Sequence, residues 1–228
     1  MNSSKQEKLS PTKARREREK EQRREDIIEA AEKLFLSQSF ENTTMKQIAN
    51  EAQYSKGTLY NYYNSKDDLY VAIGIKAYSL IINYTQQFTE KEEPGIKQLM
   101  AVGYAYYKFS KDYPSYASIF HDIGTKLPDI ISKPKNELSK TEKEYLDLSN
   151  KYRDLFVNIL TEAVKNKAIR GDISPSMIGY VLSTITRGLI EDLMYSKNRV
   201  KKIFNLEPDD VINFTFKLIA DGLKPREQ

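Results

Sequence analysis

Apolar residues recur every three or four positions along most of the chain, which is the spacing of one buried face of an α-helix. Glycine and proline interrupt this pattern rarely, because the 228 residues include only 9 glycines and 8 prolines. The pattern therefore predicts an all-α fold of about nine helices.

The N-terminal part of the chain predicts several helices joined by tight connections. Thr44 and Gln47 match a capping box, since each side chain can bond the amide of the other residue. Ser55 is placed to cap the helix that follows, and Asp67 and Asp68 suit the first turn of a longer helix, where the dipole favours acidic groups. The predicted helices cover about 24–38, 45–52, 56–62 and 65–88.

The rest of the chain keeps the same periodicity and predicts further helices. Pro175 and Pro208 suit the first turn of a helix, whereas Pro128 and Pro134 punctuate a loop. The predicted helices cover about 95–110, 115–122, 136–168, 175–196 and 208–222, and the predicted loop covers about 124–135.

Composition narrows the class of protein. The chain is 39% hydrophobic and 30% charged, which allows a buried core in a soluble protein. No apolar run approaches the roughly 18 residues of a membrane-spanning helix. Cysteine is absent, so we expect neither a disulfide framework nor thiolate chemistry, and the polar first residues do not resemble a secretory signal. We therefore expect a cytoplasmic protein with no membrane partner.

The positive charge of the chain is concentrated in a basic N-terminal arm, residues 1–23. Residues 5–24 hold nine Lys or Arg and four Glu, a net charge of +5, so the remainder of the chain carries −1. Three interpretations fit this arm: it contacts DNA phosphates, it is a solvated tail, or its interspersed glutamates pair with basic neighbours in a continuation of the first helix.

Residues 55–66 combine small, basic and aromatic side chains around one short predicted helix. Gly57 and Thr58 are small enough to let the start of that helix approach the groove of DNA closely. Tyr60 can donate a hydrogen bond to a phosphate, and Lys66 lies in the first turn of a helix, where free N–H groups favour an anion. This combination is typical of a DNA-binding segment.

The order of these residues resembles a known family. The matching residues are Arg24, Ile28-x-Ala30-Ala31-x-x-Leu34-Phe35, Thr43-Thr44, Ile48-Ala49-x-x-Ala52 and Ser55-Lys56-Gly57-Thr58-Leu59-Tyr60-x-Tyr62-Tyr63-x-Ser65-Lys66-x-x-Leu69. This segment is similar to the N-terminal domain of TetR-family transcriptional regulators. The resemblance implies a helix-turn-helix DNA-binding domain over residues 24–70 and a helical effector-binding and dimerisation domain over residues 71–228.

The resemblance also implies roles for individual residues at the DNA. Thr44, Tyr60 and Lys66 would contact the phosphate backbone. Lys56, Gly57, Thr58, Asn61 and Tyr62 would face the groove. Lysine suits guanine and asparagine suits adenine, so Lys56 and Asn61 are the expected base contacts. Core packing is the alternative for each tyrosine, and we favour it only for Tyr63, where the family often has Phe.

Two positions depart from the family pattern. Gln53 stands in the turn where the family usually has Gly, and Ser39 replaces a common Gly after the first helix. If these positions need a positive φ, each non-glycine residue costs on the order of 1 kcal/mol. Neither change removes an expected DNA contact.

The last two helices carry apolar residues on more than one face, which suggests contact with a second copy of the chain. Deep burial within a monomer is the alternative. The residues that we assign to a homodimer interface are Val181, Ile185, Leu189, Phe214 and Leu218. A twofold dimer would bind double-stranded DNA at a pseudo-palindromic operator.

The middle helices are rich in aromatic residues, and in the family that this chain resembles this region encloses an effector pocket. A tyrosine-lined cavity would suit a hydrophobic or flat aromatic small molecule. A plain helical core is the alternative, and the lone His121 is more often structural than a metal ligand, so we assign no metal site. The assigned pocket residues are Tyr84, Phe88, Tyr104, Tyr107, Tyr116, Phe120, His121 and Tyr152.

These features predict a DNA-binding regulator, most often a repressor, that a small-molecule effector releases from its operator. The alternative is a protein that binds DNA constitutively and recruits a partner without any effector. An enzyme is not expected, because the chain has one histidine, no G-x-S-x-G elbow and no phosphate-binding glycine loop. No cofactor is expected either.

Overall fold

The computed structural model describes residues 10–127 and 129–225, and within them the chain is helical with no strand. The all-α prediction is confirmed. The helices are α1 (Pro11–Asn42), α2 (Met45–Glu51), α3 (Lys56–Tyr60), α4 (Lys66–Thr89), α5 (Ile96–Asp112), α6 (Pro114–Lys126), α7 (Asp129–Ser132), α8 (Lys140–Lys165), α9 (Pro175–Phe204) and α10 (Pro208–Gly222).

Helix α1 begins well before the predicted start at residue 24. Pro11 occupies its first turn, and the Ser10 side chain accepts a hydrogen bond from the Lys13 amide. The added turns are exposed and polar, with Arg15 and Glu19 paired at 2.7 Å one turn apart. Of the three interpretations of the arm, the helical continuation therefore describes residues 11–23, and residues 1–9 lie outside the described residues.

The end of α1 is interrupted at Ser39, which has φ 71° and ψ 162°. This change of direction returns Phe40 to the domain core, where its ring lies 5.3 Å from that of Phe35 and 4.7 Å from that of Tyr70. The chain then enters α2 through the predicted capping box: the Gln47 amide donates to Thr44 Oγ1 at 3.3 Å, and the Thr44 amide donates to Gln47 Oε1 at 2.8 Å.

The chain divides into two compact units at Ile73–Gly74, within α4. The core of the first unit is built from side chains on α1 to α4, as the periodicity predicts. Its fully buried members include Ile27, Ala31, Ile48, Leu59, Tyr63 and Leu69. In the second unit, helices α8 and α9 pack together, and α5 packs against α6, α8, α9 and α10.

Several boundaries in the second unit differ from the predicted ones. The loop predicted over 124–135 is partly helical, since α6 continues to Lys126 and α7 follows it. Helix α9 extends beyond the predicted end at residue 196, because Val200 is still buried there and Lys201 and Lys202 favour the negative end of the helix dipole. Helix α8 begins later than predicted, where Ser139 and Glu142 form a capping box.

The residues that the structure describes contain neither a membrane span nor a metal-binding cluster. No helix there is both long and apolar enough to cross a bilayer. Nor do three or more His, Asp or Glu side chains converge in a way that could hold a metal ion.

Candidate nucleic-acid interface and ligand cavity

The turn between α2 and α3 holds these two helices in the arrangement of a helix-turn-helix. The Tyr54 amide donates to the Ala49 carbonyl at 2.9 Å, and Gln53 adopts φ 59° to complete the turn. The Tyr54 hydroxyl donates to Asp26 Oδ2 on α1 at 2.6 Å. This hydrogen bond, with a second one from Gln22, holds the pKa of Asp26 below its usual value.

Residues 56–63, which comprise α3 and the turn that follows it, include both buried and exposed side chains. Leu59 and Tyr63 are fully buried, and burial raises the pKa of Tyr63 to about 12. The residues assigned to the groove are more accessible: Lys56, Gly57 and Asn61 are exposed, and Thr58 and Tyr62 are half-buried. The exposed Tyr60 has the Lys56 ammonium 5.6 Å from the centre of its ring.

Gly57 has no internal reason to be a glycine. A Cβ atom added there would meet only the Ser55 hydroxyl, at an ordinary contact distance of 3.8 Å. Glycine is unfavourable in a helix by up to about 1 kcal/mol relative to alanine. A close approach of another molecule to the exposed face of α3 would explain the missing side chain.

The two residues assigned to phosphate on α2 and α4 make contacts within the first unit. Lys66 Nζ donates to the Phe40 carbonyl at 2.7 Å and lies 4.3 Å from the centre of the Phe40 ring. Lys66 therefore stabilises the end of α1, which the sequence did not indicate. Thr44 is exposed, but its hydroxyl serves the capping box. Phosphate contacts by Lys66 and Thr44 remain predictions.

The N-terminus of α4 is closed by its own side chains. The Asp68 amide donates to Ser65 Oγ at 3.0 Å, and Asp68 Oδ2 accepts from the Asn64 amide at 3.1 Å. The buried Asp68 thus occupies the positive end of the helix dipole, where the sequence had suggested room for an anion near Lys66.

The second unit contains a cavity of about 530 Å³ among α4, α5, α6, α8, α9 and α10. Aromatic side chains pack at one part of its wall: Tyr78 lies edge-on to Phe120 at 4.8 Å and to Tyr152 at 6.1 Å between ring centres. The Tyr78 hydroxyl lies 3.1 Å from that of Ser149. A cavity of this size, with a mainly apolar wall and a few polar groups, is typical of a small-molecule site.

Only Phe120 and Tyr152, of the eight assigned pocket residues, line this cavity. The other six do not line it, and the hydroxyls of three of them bond to polar side chains that do not line it either. Tyr84 donates to Asp112 at 2.7 Å, Tyr104 to Asn213 at 2.8 Å and Tyr107 to Asp209 at 2.5 Å. Phe88 and Tyr116, which are half-buried, also lie outside the lining.

His121 lines a separate, smaller pocket of about 150 Å³. Its Nε2 lies 3.2 Å from Glu191 Oε2, which ties α6 to α9. Arg187 and Tyr106 line both this pocket and the large cavity, so they form part of the wall between them.

The sequence pattern did not indicate the polar residues of the cavity wall. Ser183, Thr186 and Arg187 on α9 line it, and helical periodicity alone does not place a polar side chain beside a cavity. Arg153 on α8 also lines the cavity; it is exposed and lies 3.3 Å from Asp154.

The residues assigned to a dimer interface lie on α9 and α10, and most of them are exposed. Val181, Ile185, Phe214 and Leu218 are 42%, 46%, 63% and 56% exposed, and Leu189 is half-buried. Deep burial within a monomer, the alternative, therefore does not describe the four exposed side chains. Met177 and Tyr180 extend this exposed set along α9, and Gly188, where an added Cβ would meet nothing, lies at its other end. We call these eight residues the α9–α10 stripe.

A family model describing bacterial regulatory proteins of the tetR family matches residues 27–73. Over 49 residues the chain is 51% identical to the HTH-type transcriptional regulator HbdR of an Aromatoleum strain, an alignment that covers 22% of this chain and 21% of HbdR. The chain thus spans about a fifth of the length of that relative.

Two further similarities extend over most of the chain. The HTH-type transcriptional repressor KstR2 of Mycolicibacterium smegmatis is 20% identical over 157 residues, covering 68% of this chain and 72% of KstR2. The crystal structure of the regulator FadR from Bacillus subtilis in complex with stearoyl-CoA has a TM-score of 0.65 at 15% identity, and covers 87% of this chain and 98% of FadR. This structural likeness concerns the fold. The curated relatives are named as transcriptional regulators, not as enzymes.

Proposed function

Because the chain belongs to the TetR family of bacterial regulatory proteins, we propose that it is a homodimeric repressor that binds a pseudo-palindromic operator and is released by a small apolar effector. Such a protein works in the cytoplasm, beside the DNA. The observation that carries the proposal is the exposed face of α3, where Lys56, Gly57 and Asn61 lie together with no internal use for the glycine.

The assigned roles follow from the chemistry of this face. Lys56 and Asn61 have the side chains that bond guanine and adenine edges in the major groove. The exposed Tyr60 hydroxyl suits a phosphate. A helix of five residues, Lys56–Tyr60, offers few base contacts, so each half-site is short and affinity requires two copies.

The effector part of the proposal rests on the cavity. The solved FadR structure holds stearoyl-CoA, whose acyl chain is apolar, and the mainly apolar cavity of about 530 Å³ in this chain suits an apolar group of this kind. Effector binding would favour a dimer conformation in which the two α3 helices no longer match the operator. The free-energy change that the effector imposes on the equilibrium between the two conformations equals the difference in its binding free energy to them.

A constitutive DNA-binding protein without an effector is the second candidate. It predicts a core filled by its own side chains. The open cavity favours the first candidate.

Selection of bound fragments from random duplex DNA tests the DNA-binding proposal. We expect enrichment of an inverted repeat whose half-sites lie about one helical turn of DNA, or a multiple of it, apart. Two chains should bind each site at low ionic strength. Enrichment of a single unrepeated site, or of no sequence at all, would contradict the proposal.

Two variants separate base contacts from phosphate contacts. Asn61→Ala should relax the preference at one base step by about 1–3 kcal/mol, measured by titrating operators with single substitutions.

Lys66→Ala should weaken binding to every sequence and flatten the salt dependence, if its ammonium reaches a phosphate in the complex. The binding titrations are made at a temperature at which both variants are folded, because Lys66→Ala also loses the hydrogen bond to the Phe40 carbonyl. If Lys66→Ala weakened binding to some sequences only, Lys66 would not be a phosphate contact. If Asn61→Ala kept the base preference unchanged, Asn61 would not be a base contact.

A further inference from the structure

Arg187 is a cation in the wall of the apolar cavity that lacks an ionic partner. It is half-buried on α9 and lines both the large cavity and the smaller pocket beside it. No carboxylate lies within ion-pair distance of its guanidinium in the part of the chain that the structure describes. An arginine side chain cannot release its proton to avoid this situation.

The acidic residues that line these two pockets, Glu191 and Asp154, lie beside other basic groups. Glu191, one turn further along α9, lies 3.2 Å from His121 Nε2. Asp154, the acidic residue of the cavity lining, lies 3.3 Å from Arg153 on the exposed side of α8. Neither carboxylate forms an ion pair with Arg187, although the charge of Glu191 also reaches the neighbouring Tyr106.

The guanidinium already acts on the cavity wall. Burial raises the pKa of the neighbouring Tyr106 hydroxyl to about 12; the positive charge of Arg187 and a hydrogen bond with Ser110 oppose that shift, and the negative charge of Glu191 adds to it. Arg187 is therefore close enough to influence a polar group that it shares the wall with. A ligand atom at the same place would experience the same charge in a partly desolvated environment, where ionic hydrogen bonds are strong.

We propose that the cavity binds an amphipathic anion whose apolar body fills the aromatic and aliphatic part and whose carboxylate or phosphate oxygens accept hydrogen bonds from Arg187. This inference rests on the proposed effector function and adds the chemical class of the effector. The anion supplies the counter-charge that the fold omits, while the mainly apolar wall contributes affinity through the rest of the ligand.

Arg153 offers the natural comparison within the same cavity. It is more exposed than Arg187 and already lies beside Asp154. An anion at Arg153 would replace an existing interaction in solvent, where a charge pair contributes little. The geometry therefore assigns the anionic group to Arg187.

The test compares three probes with one apolar body, namely dodecanoate, dodecyl phosphate and 1-dodecanol, titrated calorimetrically below their micelle concentrations. We expect at least one of the two anions to bind about tenfold or more tightly than the alcohol, the effect of an added ionic hydrogen bond. The relative affinities of carboxylate and phosphate identify the source of the anionic oxygens. Arg187→Met should abolish the preference for the anion and leave the affinity for 1-dodecanol nearly unchanged.

Two further variants provide the controls. Arg187→Lys should keep part of the preference, because the charge remains but the two-pronged hydrogen bonding is lost. Arg153→Met should keep all of it. The melting temperature of each unliganded variant checks that it folds.

Equal binding of the anions and the alcohol would overturn the assignment, and so would a failure of all three probes to bind. A preference for the anions that survives in Arg187→Met and disappears in Arg153→Met would overturn it as well. Binding of the selected operator is measured on the same preparations. Retained operator binding without an anion preference refutes only the role of Arg187, whereas loss of operator binding by the unmodified protein refutes the proposed function itself.

Discussion

Two glycines of this chain are required by the fold, whereas Gly57 is not, and this difference marks Gly57 as a candidate functional position. Gly95 adopts φ 144°, and a Cβ on Gly103 would lie 2.6 Å from the Phe216 ring, so the fold itself requires both glycines. Gly57 meets neither condition. The sequence nevertheless keeps a residue that weakens a helix at the centre of the exposed face of α3.

Replacement of Gly57 by alanine should therefore separate stability from binding. We expect Gly57→Ala to raise the free energy of unfolding by up to about 1 kcal/mol, since alanine favours the helix. The same methyl group should weaken operator binding, because it stands between the helix and the groove. Urea unfolding and titration with operator DNA measure the two effects. Unchanged operator affinity would show that DNA does not approach this position.

At the scale of helices, two ends in the first unit are built on backbone conformations that suit glycine. Ser39, where α1 changes direction, has φ 71° and ψ 162°, a region that residues with a side chain seldom enter. Gln53, in the turn after α2, has φ 59°. The strain that the family comparison suggested at these two positions is therefore present. The end at Ser39 is held by Phe40, which packs against Phe35 and Tyr70. The turn at Gln53 is held by the next residue, Tyr54, whose hydroxyl donates to Asp26.

Glycine at the first of these positions should stabilise the protein. Ser39→Gly should raise the free energy of unfolding by about 1 kcal/mol, since relief of strain outweighs the greater freedom of glycine in the unfolded chain. Ser37→Gly is the matched control, because Ser37 is exposed and helical, and the same change there should lower stability by up to about 1 kcal/mol. Denaturant titration measures both. A loss of stability in Ser39→Gly equal to that in the control would contradict the strain at Ser39.

The whole molecule carries an exposed apolar surface that a monomer has no use for. The α9–α10 stripe places Tyr180 and Ile185 in solvent, and exposed patches of this kind usually mark an interface. Tyr180 also lines the cavity, so the stripe and the cavity share a border on α9. If a second copy covers the stripe, ligand binding and dimer geometry would depend on the same helix.

A charge in the stripe should therefore disrupt assembly. Ile185→Asp should shift the sedimentation coefficient from that of a dimer to that of a monomer, because an unpaired carboxylate is costly to bury in an apolar interface. Affinity for the full inverted repeat should fall with it. Asn158→Asp adds the same charge to an exposed position of α8 outside the stripe and should change neither property. A dimer that persists in Ile185→Asp would place the interface elsewhere.

The amino-acid sequence by itself determined the helical class and the capped starts of α2 and α3, because these depend on local spacing and on side chains such as Thr44 and Ser55 that bond to nearby amides. Its resemblance to a known family marked the segment that the family model matches. The sequence left the exposed first turns of α1 as one of three interpretations, because they have no apolar face, and it did not reveal the full length of α9.

Only the tertiary structure decided what each apolar helix face contacts. Periodicity marks a face as apolar without stating whether it meets the protein's own core, a cavity or solvent. The aromatic residues of α5 illustrate this: Tyr106 borders the cavity, while the hydroxyls of Tyr104 and Tyr107 bond to side chains of α10. The position of Arg187 in the cavity wall likewise depends on how α9 packs against its neighbours, since no local rule places a charged side chain beside an empty space.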